Sequence, residues 1–372
     1  FSGNSPSGMY NLDSSSPTYN NLGAVCQKKG EYDKAISYHE KCLAISLKAL
    51  GPQHPDIGSL YDNIGLAYSN KGEYDKAIGY YEKALAISIK TLGAEHPEVA
   101  TTYSKIGAVY DNKGEYDKAI GCHEKALAIR LKVLGAEYTD VGMSYNNIGA
   151  TYRRKGEYDK AIGYLEKALA IRLKTLGAEH PEVATTYSNI GLAYDDKGEY
   201  DKAMGCHEKA LAIEFKALGA EHPEVATNYS NIGSAYKAKG EYDKAIGYHE
   251  KSLAIEFKAL GAENPSVGTT YNNIEAVYND KGEYDKAIGY YEKALALRLK
   301  ALGAEHPSVG ESYNNIGSVY AKLKRGFFGK HKKSDKKMAM DYLLKAKAIY
   351  LKKLGAQHPK TKKVQAWIDD LK

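Results

Sequence analysis

The chain reads as an all-α solenoid of about eight stacked helix pairs, with one further helix closing its C-terminal end, and three observations point there. The string KGEYDKA begins at Lys29 and returns at Lys71, Lys113, Lys155, Lys197, Lys239 and Lys281, a step of 42 residues each time. A Leu-Gly pair ends at Gly51, Gly93, Gly135, Gly177, Gly219, Gly261 and Gly303, and again at Gly355 after an interval ten residues longer. Between these markers apolar residues recur at three and four residues, the spacing of one helical face.

Residues 1–12 are rich in Ser, Gly and Pro and are expected to form a flexible N-terminal segment. The array then spans 13–358. Within one period the pattern predicts a first helix over Pro97–Asn112: Pro opens it without a wasted donor, Glu98 complements the positive end of the dipole, and Tyr103, Ile106, Gly107 and Tyr110 share a face. Lys113-Gly114 stops it. A second helix is predicted over Glu115–Leu134, with Tyr116, Ala119, Ile120, His123, Ala126 and Leu127 on its inner face, and Gly135 ends it. Two such helices cannot bury their apolar faces alone, so each pair must stack on the next. Close crossings need small residues. The first helices offer Gly23, Gly65, Gly107, Gly149, Gly191, Gly233 and Gly317; the second offer Ala35, Ala77, Ala119, Ala161, Ala203, Ala245 and Ala287. Residues 359–372, with Trp367, read as a capping helix.

The run Tyr-x-Asn-Ile-Gly-x-x-Tyr, followed by Gly-x-Tyr-x-x-Ala, is similar to the tetratricopeptide (TPR) signature, with Tyr where that family often has Trp. The 42-residue period, with NNIG, KALAI and LGAEHPEVA, most resembles the repeats of kinesin light chain and nephrocystin-like proteins. The resemblance covers nearly the whole chain and implies a right-handed superhelix of about eight TPR helix pairs plus the capping helix. Three places depart from it. Glu275 replaces the small residue in repeat 7, which should loosen or tilt that crossing; Tyr138-Thr139 replaces His-Pro before repeat 4; and repeat 8 lacks KGEYDKA.

Composition narrows the function. With 43% hydrophobic and 26% charged residues, and no apolar run near the roughly 20 residues that span a bilayer, the chain is expected to be soluble. Cys26, Cys42, Cys122 and Cys206 lack CxxC spacing and point to neither a zinc site nor a disulfide framework, so a reducing, cytoplasmic setting is expected. Phe1–Pro17 does not read as a signal peptide, and a targeting segment already removed would leave no trace. No phosphate-binding glycine loop and no nucleophile with its base stands out, so no enzyme activity and no cofactor are expected. His39, His123, His207 and His249 share one position with Tyr81, Tyr291 and Leu165, which marks a packing slot rather than metal ligands.

In arrays of the resembled kind the first helices line a concave face, where an extended peptide needs donors and acceptors for its backbone. The column between Tyr and Gly reads Asn21, Asn63, Lys105, Asn147, Asn189, Asn231, Asn273 and Asn315. An amide both donates and accepts, which suits a peptide. The same amides could instead bridge neighbouring helices, or persist from recent duplication. Differences between repeats are therefore more telling: Lys105 is the one cation in the column, and Arg153 and Arg154 end the next first helix, so the middle of the groove is expected to be positive. The resemblance also raises the carboxylate clamp of chaperone-tail receptors. Asn63 matches its Asn and Lys105 stands where it has Arg, but Asn20, Ala24 and Thr101 lack the charge or reach that the clamp needs.

From Lys322 to Lys337 eight basic residues face a single Asp, a net +7 when the whole chain carries +6. Two glycines interrupt this segment, which reads as a loop inserted over 322–337. Lys322, Lys324, Arg325, Lys330, Lys332, Lys333, Lys336 and Lys337 could contact an anionic partner, or be no more than a solvated loop. Nucleic-acid binding is not expected, because the tyrosines fall at core spacing. The reading is an adaptor or scaffold holding a short acidic or polar peptide in its groove. The alternative is a structural subunit packed into a large assembly by its convex face and basic loop.

Overall fold

A His-Pro pair sets where each first helix begins. His54 has extended backbone (φ −72, ψ 140), its Nδ1 accepts from the Asp56 amide at 3.2 Å, and Pro55 takes the first helical position. The same imidazole cap recurs at His96, His180, His222, His306 and His358, and Asn264 supplies its Oδ1 in repeat 7. Tyr138 makes no side-chain cap. The stops are equally local. At Gly114 (φ 82, ψ 10) the glycine amide donates to Asp111 O and the Glu115 amide to Tyr110 O, closing the first helix through a left-handed residue. Gly135 (φ 87, ψ 168) ends the second helix in a region that is essentially glycine's own.

In the computed structural model, which describes residues 15–261, 264–323 and 333–371, these signals give seventeen helices and no strand among the described residues. They pair in order: α1 (Ser15–Lys28) with α2 (Tyr32–Leu50), α3 (Pro55–Lys71) with α4 (Tyr74–Leu92), α5 (Pro97–Lys113) with α6 (Tyr116–Leu134), and α7 (Thr139–Lys155) with α8 (Tyr158–Leu176). The series continues with α9 (Pro181–Lys197) and α10 (Tyr200–Leu218), α11 (Pro223–Ala238) and α12 (Tyr242–Leu260), α13 (Pro265–Lys281) and α14 (Tyr284–Leu302), and α15 (Pro307–Leu323) and α16 (Lys333–Leu354). α17 (Pro359–Asp370) follows, and its Val364 and Ile368 join the core of the last pair. The helices form two compact units, one ending at Gly177 and the other opening at Ala178. The repeat pattern runs through this division without a mark.

Within each unit the helices pack on their sequence neighbours, and first helices of adjacent repeats touch, as α1 does α3, α9 does α11 and α11 does α13. That places the first helices on the inner side of each stack. The basic segment needs correction. Lys322 and Leu323 complete the last turn of α15, and Lys333–Lys337 open α16, because helical hydrogen bonding resumes well before the lysines end. The rest of the expected insertion, residues 324–332, lies outside the described residues, as does the expected flexible segment 1–12.

The hairpins close on a glycine seat. A Cβ built on Gly65 would lie 3.0 Å from the Tyr81 ring, on Gly107 2.7 Å from the His123 ring, and on Gly149 2.7 Å from Leu165 Cγ and 3.0 Å from the Ala161 carbonyl. The histidine positions are therefore a packing slot, with His39, His123, His207 and His249 buried against glycine. The second-helix glycines behave oppositely. At Gly79, Gly121, Gly163, Gly205, Gly247 and Gly289 an added Cβ would meet nothing within 4 Å. The tyrosines beside them turn inward: Tyr80 stacks on Tyr68 at 5.5 Å, and Lys83 lies over the Tyr80 ring.

KGEYDKA is an inter-repeat clamp. Lys113 Nζ reaches Asp75 of the preceding copy and Glu115 of its own, both at 2.6 Å, and Glu115 in turn holds Lys118. The pattern repeats at Lys71, Lys155 and Lys281. Hydrogen bonds from Lys113 and Lys118 hold the Glu115 carboxyl below its usual range.

Two outcomes follow for the hairpin of α7 and α8. Gly149→Ala overpacks a seat that includes a backbone oxygen and should destabilise by about 1–3 kcal/mol, whereas Gly163→Ala should stabilise by roughly 0.8–1 kcal/mol. Thermal melting checks the opposite signs. At α7, Tyr138→His combined with Thr139→Pro supplies the missing cap and should raise stability by about 1 kcal/mol, a rise of roughly 2–4 °C in Tm.

Candidate peptide-binding face

The Asn column lies on the first helices, but neighbouring repeats already use part of it. Asn63 Nδ2 donates to Asn20 Oδ1 of the preceding first helix at 3.1 Å, Lys105 Nζ to Asp62 Oδ2 at 2.6 Å, and Asn273 Nδ2 to Ser230 Oγ at 3.2 Å. Each rung spans 43 residues, from one column to the position just before it in the previous repeat. Asn315 accepts from Asn314 at 3.4 Å, and Asn189 also has a partner. Asn21 is exposed, while Asn147 and Asn231 are half-buried and make no side-chain hydrogen bond among the described residues.

A second ladder runs two turns further along the same helices. Arg154 pairs with Asp111 at 2.9 Å and reaches Asn112 at 3.5 Å, Lys237 pairs with Asp280 at 3.2 Å, and Lys322 donates to Asn279 at 3.1 Å. The expected positive centre is thus largely neutralised. Asp62 answers Lys105, Asp111 answers Arg154 and Arg153, and Asp140 answers Arg130. Burial pushes the Asp62 and Asp111 carboxyls up, and their cationic partners pull them back. Lys322 belongs to this ladder rather than to a loop. Lys336 is half-buried and Lys337 exposed on α16; Lys324, Arg325, Lys330 and Lys332 lie outside the described residues, and of the Lys333 side chain nothing is described.

Sequence reasoning missed a buried charged column on the second helices. Arg130 is 3% exposed and donates to Ser144 Oγ at 2.7 Å and Ser104 Oγ at 3.2 Å. Glu214, 4% exposed, accepts from Asn228 Nδ2 at 2.6 Å, and Arg298 donates to Ser312 Oγ at 2.8 Å. The signal was available: this position reads Ser46, Ser88, Arg130, Arg172, Glu214, Glu256 and Arg298 within an otherwise near-constant helix. Burial lowers the Arg130 pKa and raises those of Glu214 and Glu256.

Slot histidines are tied to first helices: His39 Nδ1 faces Asn20 Oδ1 at 3.1 Å, His207 Nε2 faces Asp195 at 2.9 Å, and His249 Nδ1 lies 3.5 Å from Ser230 Oγ. Desolvation, with nearby cations, pushes His123 and His249 down to about 4. Glu275 takes the glycine seat of repeat 7 and is 2% exposed, with Tyr291 still buried beside it. Burial pushes its carboxyl up to about 10, against the pull of Lys237, Arg298 and Lys322.

Between α11 and α13, floored by α12, lies a cavity of about 530 Å³ lined by Ser234, Lys237, Tyr242, His249, Asn273 and Asp280 among others. The four cysteines are free thiols. Among the described residues no group of three His, Cys, Asp or Glu could hold a metal, and no helix is long and apolar enough to cross a membrane.

A tetratricopeptide repeat family model matches residues 14–90, 56–132, 140–214, 198–256 and 258–325, well over half of the sequence. The chain is a tetratricopeptide-repeat protein. Proteins built from this repeat generally mediate protein–protein interactions. Among solved structures this TPR chain is similar to a Podosopora anserina protein described as a kinesin light chain with nearly identical TPR-like repeats, at 27% identity and a TM-score of 0.49 over 56% of this chain and 99% of that one. It is also similar to BtubC (BKLC) of P. vanneervenii, at 24% identity and a TM-score of 0.51 over 65% of this chain and 92% of that one. A signal-transduction ATPase of Pyrococcus horikoshii with a tetratricopeptide repeat sensor shares the fold at 15% identity and a TM-score of 0.62, covering 96% of this chain and half of its own. No match was found among curated proteins.

Glu275 gives this TPR array a pH signature. Its folded pKa lies far above the unfolded value, so its contribution is complete below pH 4.5 and is lost progressively as pH rises toward 10. Glu275→Gln should leave Tm at pH 4 within about 1 °C of wild type and raise it by several degrees, on the order of 2–4 °C or more, at pH 8. Melting curves across that range check the divergence.

Proposed function

We propose that this protein is an adaptor or scaffold that holds a short polar or acidic peptide along the inner, first-helix side of its repeats. What carries the reading is that Asn147 and Asn231 are half-buried on that side without side-chain partners among the described residues, while sister amides at the same position are engaged. An unengaged amide can present both a donor and an acceptor to a peptide bond. The proposed peptide-contacting residues are therefore Asn21 and Asn147 in the first unit, with Arg153 on the same helix as Asn147, and Asn231 in the second unit. Asn63, Lys105 and Asn273 act by joining first helices, and Arg154 is held mainly by Asp111. Lys105 and Arg154 are already paired with Asp62 and Asp111, so acidic residues in the peptide are tolerated rather than demanded. A cytoplasmic setting fits the free thiols.

The test is a peptide selected by display against the whole chain. Asn147→Ala for a peptide held on the first unit, or Asn231→Ala for one held on the second, should weaken its binding by about 0.5–1.5 kcal/mol, roughly two- to 13-fold, for one hydrogen bond lost. Calorimetry measures the loss. Unchanged affinity in that variant, with Tm preserved, would move the binding surface elsewhere.

A further inference from the structure

Repeat 7 carries two exchanges that act on one spot. Where the other second helices hold Ile45, Ile87, Ile129, Ile171, Ile213, Ile255 and Ile349, α14 holds Leu297. The facing position of the first helix is Ala100, Ala184 or Ala226 in some repeats and glycine in others. Elsewhere an isoleucine covers that glycine: a Cβ built on Gly58, Gly142 or Gly310 would meet the Cγ2 of Ile87, Ile171 or Ile349 at 3.2–3.6 Å. Leucine has no Cγ2 to offer. On Gly268 an added Cβ would meet only Arg298 Cγ, at 4.0 Å, and a cleft of about 120 Å³ opens between α13, α14 and the start of α15.

The cleft can be entered, because Thr269, Ala301 and Leu302 at its mouth are exposed. Its size is below the roughly 150 Å³ of an apolar cavity that admits benzene, which suits a branched aliphatic group. Arg298 is the one charged residue among the described residues that line it. Its Nη1 donates to Ser308 O at 3.1 Å and to Ser312 Oγ at 2.8 Å, both neutral acceptors, while Nε and Nη2 make no hydrogen bond among the described residues. Glu311, next to Ser312, pairs with Lys360 at 3.6 Å. A guanidinium pinned on one nitrogen, with donors to spare beside an apolar space, matches a carboxylate. We propose that this cleft binds a branched aliphatic carboxylate, its tail in the space over Gly268 and its carboxylate on Arg298. A free short-chain acid and the terminal Leu or Val of a peptide both present that chemistry. The site goes beyond the inner-face reading, since neither Asn147 nor Asn231 lines it.

The full chain, labelled with ¹³C at the leucine methyls, is titrated at neutral pH with isocaproate, with its neutral amide isocaproamide, and with N-acetyl-leucine. Leu302 reports from the mouth, its signal assigned by its loss in Leu302→Met. Isocaproate should move that signal saturably, with isocaproamide at least about tenfold weaker. A saturable shift with N-acetyl-leucine as well makes the source a chain terminus, and its absence makes it a free acid; both support the site. Leu297→Ile and Gly268→Ala each restore a residue that sister repeats hold, so the fold is kept, as melting checks. Each should close the cleft and weaken isocaproate at least about tenfold. Arg298→Gln should bring acid and amide level. No saturable shift with isocaproate, equal binding of acid and amide to wild type, or undiminished isocaproate binding in both closed variants overturns the proposal.

Discussion

The hairpins depend on one contact: a ring or branched side chain of the second helix lying flat against a glycine of the first. The would-be Cβ distances of 2.6–3.0 Å at Gly23, Gly65, Gly107, Gly149, Gly191 and Gly233 leave no room for any other residue without a shift of the partner. With backbones that close, the first helix sinks onto its hairpin mate, and the polar positions flanking the glycine are carried to the inner side. There they meet the same positions of the next repeat. The rungs from Asn63 to Asn20 and from Lys105 to Asp62 are thus a consequence of the seat. Repeat 7 shows what the contact protects. With Glu275 in the seat, a carboxyl is buried that can remain only by keeping its proton.

What could be read in advance was what the backbone decides locally. Helix starts at His-Pro, stops at Gly114 and Gly135, and the 3.6-residue stripe each act within a few residues, and the helix ends fall within one residue of expectation in the period from Pro97 to Leu134. The glycine seat and the histidine slot were legible for the same reason, since both are columns in a repeat. The basic segment was misjudged because lysine content says nothing about hydrogen bonding: Lys333–Lys337 is helix despite its charge.

Side-chain partners were not legible. Whether Asn63 faces solvent or Asn20 depends on the approach of two helices 43 residues apart, which no local pattern encodes. Arg130 and Glu214 were overlooked because charge at a second-helix position reads as surface. Their partners, Ser144 and Asn228, stand 14 residues on in another helix and match them in hydrogen-bonding sense, hydroxyl for guanidinium and amide for carboxylate. A variable charge inside a constant helix was the available clue.

That clue bears on the peptide recognition proposed above. A peptide reading only the constant amides would bind equally well at any repeat, and nothing would hold it in one register. Register must come from positions where the repeats differ, and those positions are the ones bearing charge and buried polarity: Asp62 with Lys105, Asp111 with Arg154, Asp195 with His207, and Lys237 with Asp280. Near-identity of the rest then has a physical use. It supplies a uniform frame in which a single substituted residue changes the chemistry of one inter-repeat cleft while its neighbours keep their geometry, so specificity can be set cleft by cleft without altering the fold.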